Sequence, residues 1–308
     1  IEEIRGDVRL TYFEYATLVA LNLFRRADVD VQVLEVGLGG RLDAVNIVDA
    51  DVSVVTNIGI DHIDYLGPTR DSIAREKAGI ARCGRPCIVS DKDPPKALVQ
   101  VLNNLGAIKY QLGEHWFLNG EELLTSNHRK ITLPKIQGLQ EINIAAAFET
   151  LSTSSLPILW NEAVEAASKV KLPGRCSRHE WHQRQIILDV AHNLEAVLLL
   201  VDYLERYPVQ GRVRALFGAM GDKPIHDMLS ACLSIVDEWY LMELPHLPRA
   251  VSSSFVRKIL PKKSVISCGE FQELWGLLIG STGAEDLIVV FGSFHVVGPA
   301  WAKIEGKI

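Results

Sequence analysis

Along its whole length the chain alternates two kinds of segment. Short runs of aliphatic and β-branched residues are followed by longer segments whose apolar residues recur at helical spacing. Residues 12–26 carry such a helical stripe, and residues 29–36 follow as an apolar strand that ends at Gly37. Residues 52–60 read as a second buried strand, 68–82 as a helix, 86–89 as a strand and 94–105 as a helix. Continuously apolar strands separated by helices are the signature of a parallel sheet covered on both faces. Residues 108–133 break the rhythm. Short alternating runs around Asn119-Gly120 predict an antiparallel excursion there.

Two helices are predicted over 142–151 and 160–170, and Leu172-Pro173-Gly174-Arg175 then stops the helical pattern and turns the chain. The alternation restarts beyond it. Strands are expected at 185–190, 213–218, 238–244 and 287–291, with helices from Asn193, from Pro224 and between the later strands. The length of 308 residues fits two domains, placed at 1–172 and 173–308.

Composition excludes several classes. Hydrophobic residues make up 48% and charged residues 23%, which excludes a disordered or fibrous chain. A formal net charge of −6 argues against a nucleic-acid partner, which needs a basic surface. Apolar runs such as 287–291 are far shorter than the ~20 residues that span a bilayer. The five cysteines, Cys83, Cys87, Cys176, Cys232 and Cys268, have no zinc spacing and read as free thiols of a reducing compartment.

The residues with chemistry cluster at strand ends, where open α/β sheets bind ligands. Leu34-Glu35-Val36-Gly37-Leu38-Gly39-Gly40-Arg41-Leu42-Asp43-Ala44-Val45-Asn46 is the first such stretch. Its glycines alone would mark a tight turn. An acid in the apolar run, with Arg41 and Asp43 beside the glycines, points instead to a site, because a buried carboxylate requires a partner or a cation. Ile60-Asp61-His62 ends the next strand, and Glu35 with His62 suits a hydrated divalent cation such as Mg²⁺. Arg75-Glu76-Lys77-Ala78-Gly79-Ile80 reads either as a solvated helical face or as the source of a lysine, Lys77, that reaches this site. In the second half, Asp189 to Asn193, Gly218 to Lys223 and Gly292 to His295 are three polar turns at strand ends. Asp189 suits a ribose, and Asn193 suits a helix N-cap. Together the three turns predict a site along one sheet edge.

These segments resemble the bacterial bifunctional dihydrofolate synthase/folylpolyglutamate synthases, a family of Mur-ligase-like, ATP-dependent amide ligases. The resemblance runs over nearly the whole chain, and Glu35-x-Gly37-x-Gly39-Gly40-Arg41-x-Asp43 is its most specific part. It implies an α/β fold: a Mur-ligase-like central parallel-sheet domain, incomplete here, followed by a Rossmann-like C-terminal α/β domain. It implies Glu35 and His62 as Mg²⁺ ligands, Lys77 as a carbamylated lysine, and Asn143, Arg175 and Asp189 as ATP contacts. Thr11, Tyr12, Phe13, Glu14, Leu42, Asp43 and Ala44 match segments that touch the pteridine; His192 and Ser293 lie in motifs of the glutamate side. The implied reaction joins L-glutamate to dihydropteroate or tetrahydrofolate through an acyl phosphate made from ATP, with the two domains closing over the reactants. The implied setting is a cytoplasmic monomer without nucleic-acid or membrane partners.

The sequence also departs from the family pattern. No G-x-x-x-x-G-K-[ST] loop occurs among the 308 residues, and the first residue is Ile1 rather than Met. The expectation is therefore a chain shortened at its N-terminus, without the opening strand, phosphate loop and helix of its first domain. Val45 stands where the family has Thr, Leu194-Glu195 where it has Pro-His, and Pro224 where it has Asp. Two alternatives follow: an inactive relic that retains folate or partner binding, and a Mur-type cell-wall ligase with the same fold. The pteridine-side segments count against the latter.

Overall fold

The computed structural model describes residues 1–207 and 209–307. The chain divides into two compact units. One comprises Ile1–Lys135 and Gln140–Ser168, the other Ile136–Leu139 and Lys169–Ile308.

The first unit opens with α1 (Glu2–Arg5) and α2 (Tyr12–Ala27), then a 3-10 turn at Ala44–Ile47. Next come β1 (Ser53–Val55), α3 (Ile63–Leu66), α4 (Arg70–Ala78), β2 (Pro86–Val89), α5 (Lys96–Leu105) and β3 (Ile108–Gln111). Strands β4 (Phe117–Asn119), β5 (Glu122–Leu124) and β6 (Lys130–Thr132) follow, then α6 (Glu141–Thr153) and α7 (Trp160–Ser168). β1, β2 and β3 form a parallel sheet in that order, and β4-β5-β6 a separate antiparallel meander. Ile73, Ala74 and Ala78 of α4 pack with Ala97, Leu98 and Leu102 of α5 over Val55, Cys87 and Val89, an apolar core built from helical and strand periodicity together.

Three expectations for this half are corrected. Residues 29–36 form no strand, although their apolar run predicts one. A strand is a hydrogen-bonded pair, and among the described residues no segment pairs with this one; Val31 and Val33 are exposed. The strand predicted over 52–60 is confined to Ser53–Val55, the three residues that pair with β2. The excursion expected from Ile108 starts later: β3 continues the parallel sheet, and only β4 to β6 run antiparallel.

The second unit carries β7 (Ser177–Trp181), β8 (Arg184–Leu188), α8 (Leu194–Glu205), β9 (Val213–Phe217), α9 (Ile225–Cys232) and β10 (Glu238–Met242). It continues with α10 (Ser253–Ile259), β11 (Val265–Gly269), α11 (Phe271–Ser281), β12 (Leu287–Phe291) and α12 (Phe294–Ile304). The sheet order is β11-β10-β9-β12-β8-β7, parallel throughout except for β7, which pairs antiparallel with β8 at the edge. Alternate residues serve opposite cores. Ala215, Phe217, Trp239, Val289 and Phe291 face α8, α9 and α10; Leu216, Tyr240, Ile288 and Val290 face α11 and α12. β7 and β11 were not anticipated. β7 is polar and half-exposed, and β11 carries Ser267 and Cys268 where an apolar run would have announced it.

Candidate active site

In the first unit the glycine-rich stretch is a compact loop built around Asp43. One carboxylate oxygen accepts from the N–H groups of Gly37 and Leu38, both at 3.0 Å, and the other from Val45 N–H at 3.0 Å. The Val45 bond also caps the following 3-10 turn. Asp43 is thus occupied in shaping the loop, a role its place in the sequence did not reveal.

The glycines are there for close approach. A Cβ at Gly37 would lie 2.8 Å from Cζ of Phe13, and one at Gly40 would lie 2.9 Å from the Glu76 carbonyl oxygen. The loop therefore rests on the start of α2 and the end of α4. Arg41 fixes the second contact through its N–H to the Glu76 carbonyl at 2.8 Å and its guanidinium to the Glu76 carboxylate at 3.0 Å. Asn46 donates to the Arg41 and Gly79 carbonyls, both at 3.1 Å. Arg75 to Ile80 is thus neither just a solvated face nor just a source of lysine: Glu76 and Gly79 are the loop's seat.

Thr11 and Glu14 cap α2 reciprocally, with the Thr11 N–H 2.7 Å from the Glu14 carboxylate. That bond, with the Thr11 hydroxyl, holds the Glu14 carboxyl below the usual glutamate range. The cap leaves Tyr12 90% and Leu42 78% exposed, with Phe13 partly exposed beside Gly37. These are apolar groups that water covers poorly, on the segments expected to meet the pteridine. Ala44 is half-buried and opens the 3-10 turn.

Glu35 is exposed and outside any strand, which corrects the expectation of an acid in a buried strand: without a ladder the segment stays at the surface. His62 has left-handed backbone (φ 52°) and forms the N-cap position of α3, with Nε2 3.9 Å from the Asp61 carboxylate. Among the described residues no group of three or more His, Cys, Asp or Glu side chains forms a metal cage. Lys77 is half-buried. Burial lowers its ammonium from the ordinary lysine value, and the charge of Asp61 partly opposes this, so Lys77 and Asp61 share one electrostatic environment.

Sequence reasoning missed the clamp beneath this segment. Buried Asp91, just past β2, accepts from Ile58 N–H and from the Arg70 guanidinium, both at 2.9 Å, and Arg70 also donates to the Ile58 carbonyl at 2.8 Å. This fixes the chain that leads into Asp61 and His62. The one available signal was an acid placed at a strand end. Asn143 lies half-buried in the first turn of α6.

In the second unit the three polar turns do stand at one sheet edge, because β8, β12 and β9 are parallel neighbours and all three turns leave their carboxyl ends. Gly292 (φ 108°) lets the turn after β12 cross Gly218, where a Cβ would approach the Gly218 carbonyl oxygen to 2.7 Å. Ser293 is buried and caps α12, its hydroxyl accepting from His295 N–H at 3.1 Å. Asn193 caps α8 through Ala196 N–H at 2.9 Å. His192 Nδ1 donates to the Val190 carbonyl at 2.9 Å, so in the neutral ring Nε2 is the acceptor, and its ring lies 6.4 Å from that of Phe294. Asp189 is buried beneath this edge. It accepts from Cys176 N–H and Ala191 N–H, each at 2.7 Å, while exposed Arg175 acts on it electrostatically. Burial raises the Asp189 carboxyl, and these partners oppose the rise.

Comparison with known proteins agrees with this arrangement. Residues 7–147 match the Mur ligase middle domain and residues 174–294 the glutamate ligase domain of Mur ligases. The dihydrofolate synthase/folylpolyglutamate synthase of Escherichia coli K12 is 38% identical over 310 residues, an alignment that covers 100% of this chain and 72% of the relative. The solved structure of E. coli FolC in complex with DHPP and ADP superposes with a TM-score of 0.91 at 38% identity, over 99% of this chain and 74% of that one. A bifunctional folylpolyglutamate synthase/dihydrofolate synthase with Mn, AMPPNP and L-glutamate bound gives 0.89 at 38% identity, over 98% and 73%. The relationship holds across both units and through the Asp43-centred loop, and on it the chain belongs to the dihydrofolate synthase/folylpolyglutamate synthase family of Mur ligases.

Proposed function

We propose that this protein is an ATP-dependent ligase that joins L-glutamate to dihydropteroate and to tetrahydrofolate, forming a C–N bond in folate synthesis. The carrying observation is the family relationship over all of the chain, together with Tyr12 and Phe13 on α2 and Leu42 on the glycine-rich loop, exposed apolar side chains suited to a flat heterocycle. Relatives with DHPP and ADP, and with AMPPNP and L-glutamate, support the substrate set.

A substrate carboxylate oxygen attacks the γ-phosphorus of ATP, ADP leaves, and an acyl phosphate forms. The glutamate amine attacks the acyl carbon, phosphate leaves, and the amine gives up a proton. In this reading Tyr12, Phe13 and Leu42 bind the pteridine, while Thr11, Glu14, Asp43 and Ala44 hold the backbone that places them. Asn143, Arg175 and Asp189 serve the nucleotide. His192, with Nδ1 tied to the Val190 carbonyl, offers Nε2 as an acceptor on the glutamate side, and Ser293 fixes the turn beside it. Glu35 and His62, both exposed, are the oxygen and nitrogen donors that would hold Mg²⁺, which keeps several waters and takes few protein ligands. When bound, Mg²⁺ neutralises charge on the phosphates. Lys77, with its ammonium destabilised by burial, is the amine suited to carbamylation.

Among the described residues no helix is long and apolar enough to cross a membrane, and all five cysteines are free thiols. Both support a cytoplasmic protein, and we read it as a monomer. The test is ATP- and Mg²⁺-dependent transfer of labelled glutamate to dihydropteroate and, separately, to tetrahydrofolate. Transfer to both establishes the reading, and transfer to one alone narrows it to that acceptor. Binding of ADP and dihydropteroate without transfer favours the inactive-relic alternative, and transfer to a UDP-linked sugar substrate favours a cell-wall ligase.

A further inference from the structure

The turn that precedes β7 contains a residue whose backbone and side chain are both bent toward one carboxylate. Cys176 is 7% exposed and has a positive φ of 44°, a conformation that L side chains rarely adopt. Where only the turn mattered, glycine would serve with less strain. Three contacts hold the residue there. Its N–H donates to Asp189 Oδ2 at 2.7 Å, its thiol lies 3.2 Å from the same oxygen, and its carbonyl accepts from Gln137 Nε2 at 2.6 Å. Gly138 packs so closely on the neighbouring Arg175 that a Cβ there would fall 1.8 Å from the Arg175 carbonyl oxygen.

A carboxylate offers about four accepting positions, two per oxygen. On Asp189 the Cys176 N–H and S–H take both on Oδ2, and Ala191 N–H takes one on Oδ1. The thiol therefore determines which oxygen stays able to accept from a ligand: Oδ1. It also supplies a donor to a carboxyl that is only 6% exposed, where each missing donor is costly.

We propose that Cys176 is a positioning residue for the nucleotide: its thiol saturates Asp189 Oδ2 and directs Oδ1 toward the ligand's hydroxyl groups. This rests on the reading of Asp189 as a nucleotide contact. Cys176→Gly is the informative variant, because it keeps the backbone N–H, relieves the strained φ and removes only the side chain. Cys176→Ser restores a donor.

The experiment measures ADP binding by calorimetry in the parent, Cys176→Gly, Cys176→Ser and Asp189→Asn, and follows the Asp189 carboxyl by ¹³C NMR titration in the first three. Cys176→Gly should weaken ADP binding by about fivefold, the worth of one modest hydrogen bond, and move the Asp189 titration upward. Cys176→Ser should return both toward the parent. If Asp189→Asn weakens ADP binding while Cys176→Gly changes neither binding nor titration, the proposal is overturned and the nucleotide reading stands. If the parent does not bind ADP, or Asp189→Asn leaves binding unchanged, the nucleotide reading falls, and with it the proposed role toward the ligand. A loss in Cys176→Gly that Cys176→Ser does not restore makes the residue a packing element and overturns the proposal as well.

Discussion

Replacing Asp43 by alanine removes three hydrogen bonds at once, from Gly37, Leu38 and Val45 N–H, each 3.0 Å long. Hydrogen bonds to a charged group contribute ~1.5–3 kcal/mol each when buried. Asp43 is only half-buried, and water can replace part of what each N–H loses, so the sum is discounted to about 2–3 kcal/mol in total. The loss is local. It releases the 37–45 loop from its closed shape without touching the core of α4 and α5. At 1.4 kcal/mol per tenfold, the amides of Gly37, Leu38 and Val45 should lose about 30- to 140-fold of their hydrogen-exchange protection. Core amides such as Ile88 and Leu98 should be unchanged. Asp43→Asn keeps one accepting oxygen and turns an amide donor toward a neighbouring N–H, so it should fall between parent and alanine. Native-state exchange read by mass spectrometry resolves the loop peptide. If the alanine variant protects Gly37, Leu38 and Val45 as the parent does, the carboxylate does not hold the loop, and Asp43 reverts to a direct substrate contact.

Three further outcomes follow from the same structure. Gly79→Ala places a Cβ 2.4 Å from Cβ of Arg41, so the loop must move from α4; the expected cost is about 1–3 kcal/mol in urea unfolding, and a neutral result would show that the seat yields freely. Burial raises the Glu149 carboxyl above its ordinary value of 4.5. Its stabilising contribution is complete below that value and is lost as pH rises through the raised folded value, so Glu149→Gln should gain melting temperature relative to the parent at pH 7 and lose that gain near pH 4. A pH-independent difference would contradict the assignment. Lys77, lowered by burial, should form a carbamate visible by NMR with ¹³C-bicarbonate at lower pH than an exposed lysine does, and Asp61→Asn, which removes the opposing charge, should increase it. No adduct in either protein would exclude the modification.

Much of the fold was legible because the local signals agree with the tertiary arrangement. Thr11 and Glu14 mark the start of α2, Asn193 the start of α8, and the apolar runs at β8, β9, β10 and β12 are strands buried on both faces. The strand-end turns could be named before any coordinates because a parallel sheet leaves its loops at the carboxyl ends. The misses share one cause. Residues 29–36 have strand composition and, among the described residues, no pairing partner; β7 and β11 have partners and little strand composition. Hydrogen-bond partnership across a sheet is a property of two segments, and the composition of either one does not report it.

The sequence by itself determined the α/β class, the motif that identifies the family, and most residues of the candidate site. Only the tertiary structure decided what those residues do. Asp43 and Asp189 look alike as acids at strand ends, yet Asp43 folds a half-exposed loop around itself, whereas Asp189 is buried against a strained cysteine. Glu35 reads as buried and is exposed; Asp91 reads as unremarkable and clamps Arg70. The physical reason is that a carboxylate's role follows from its donors and its access to water, and both are supplied by chain segments distant in sequence.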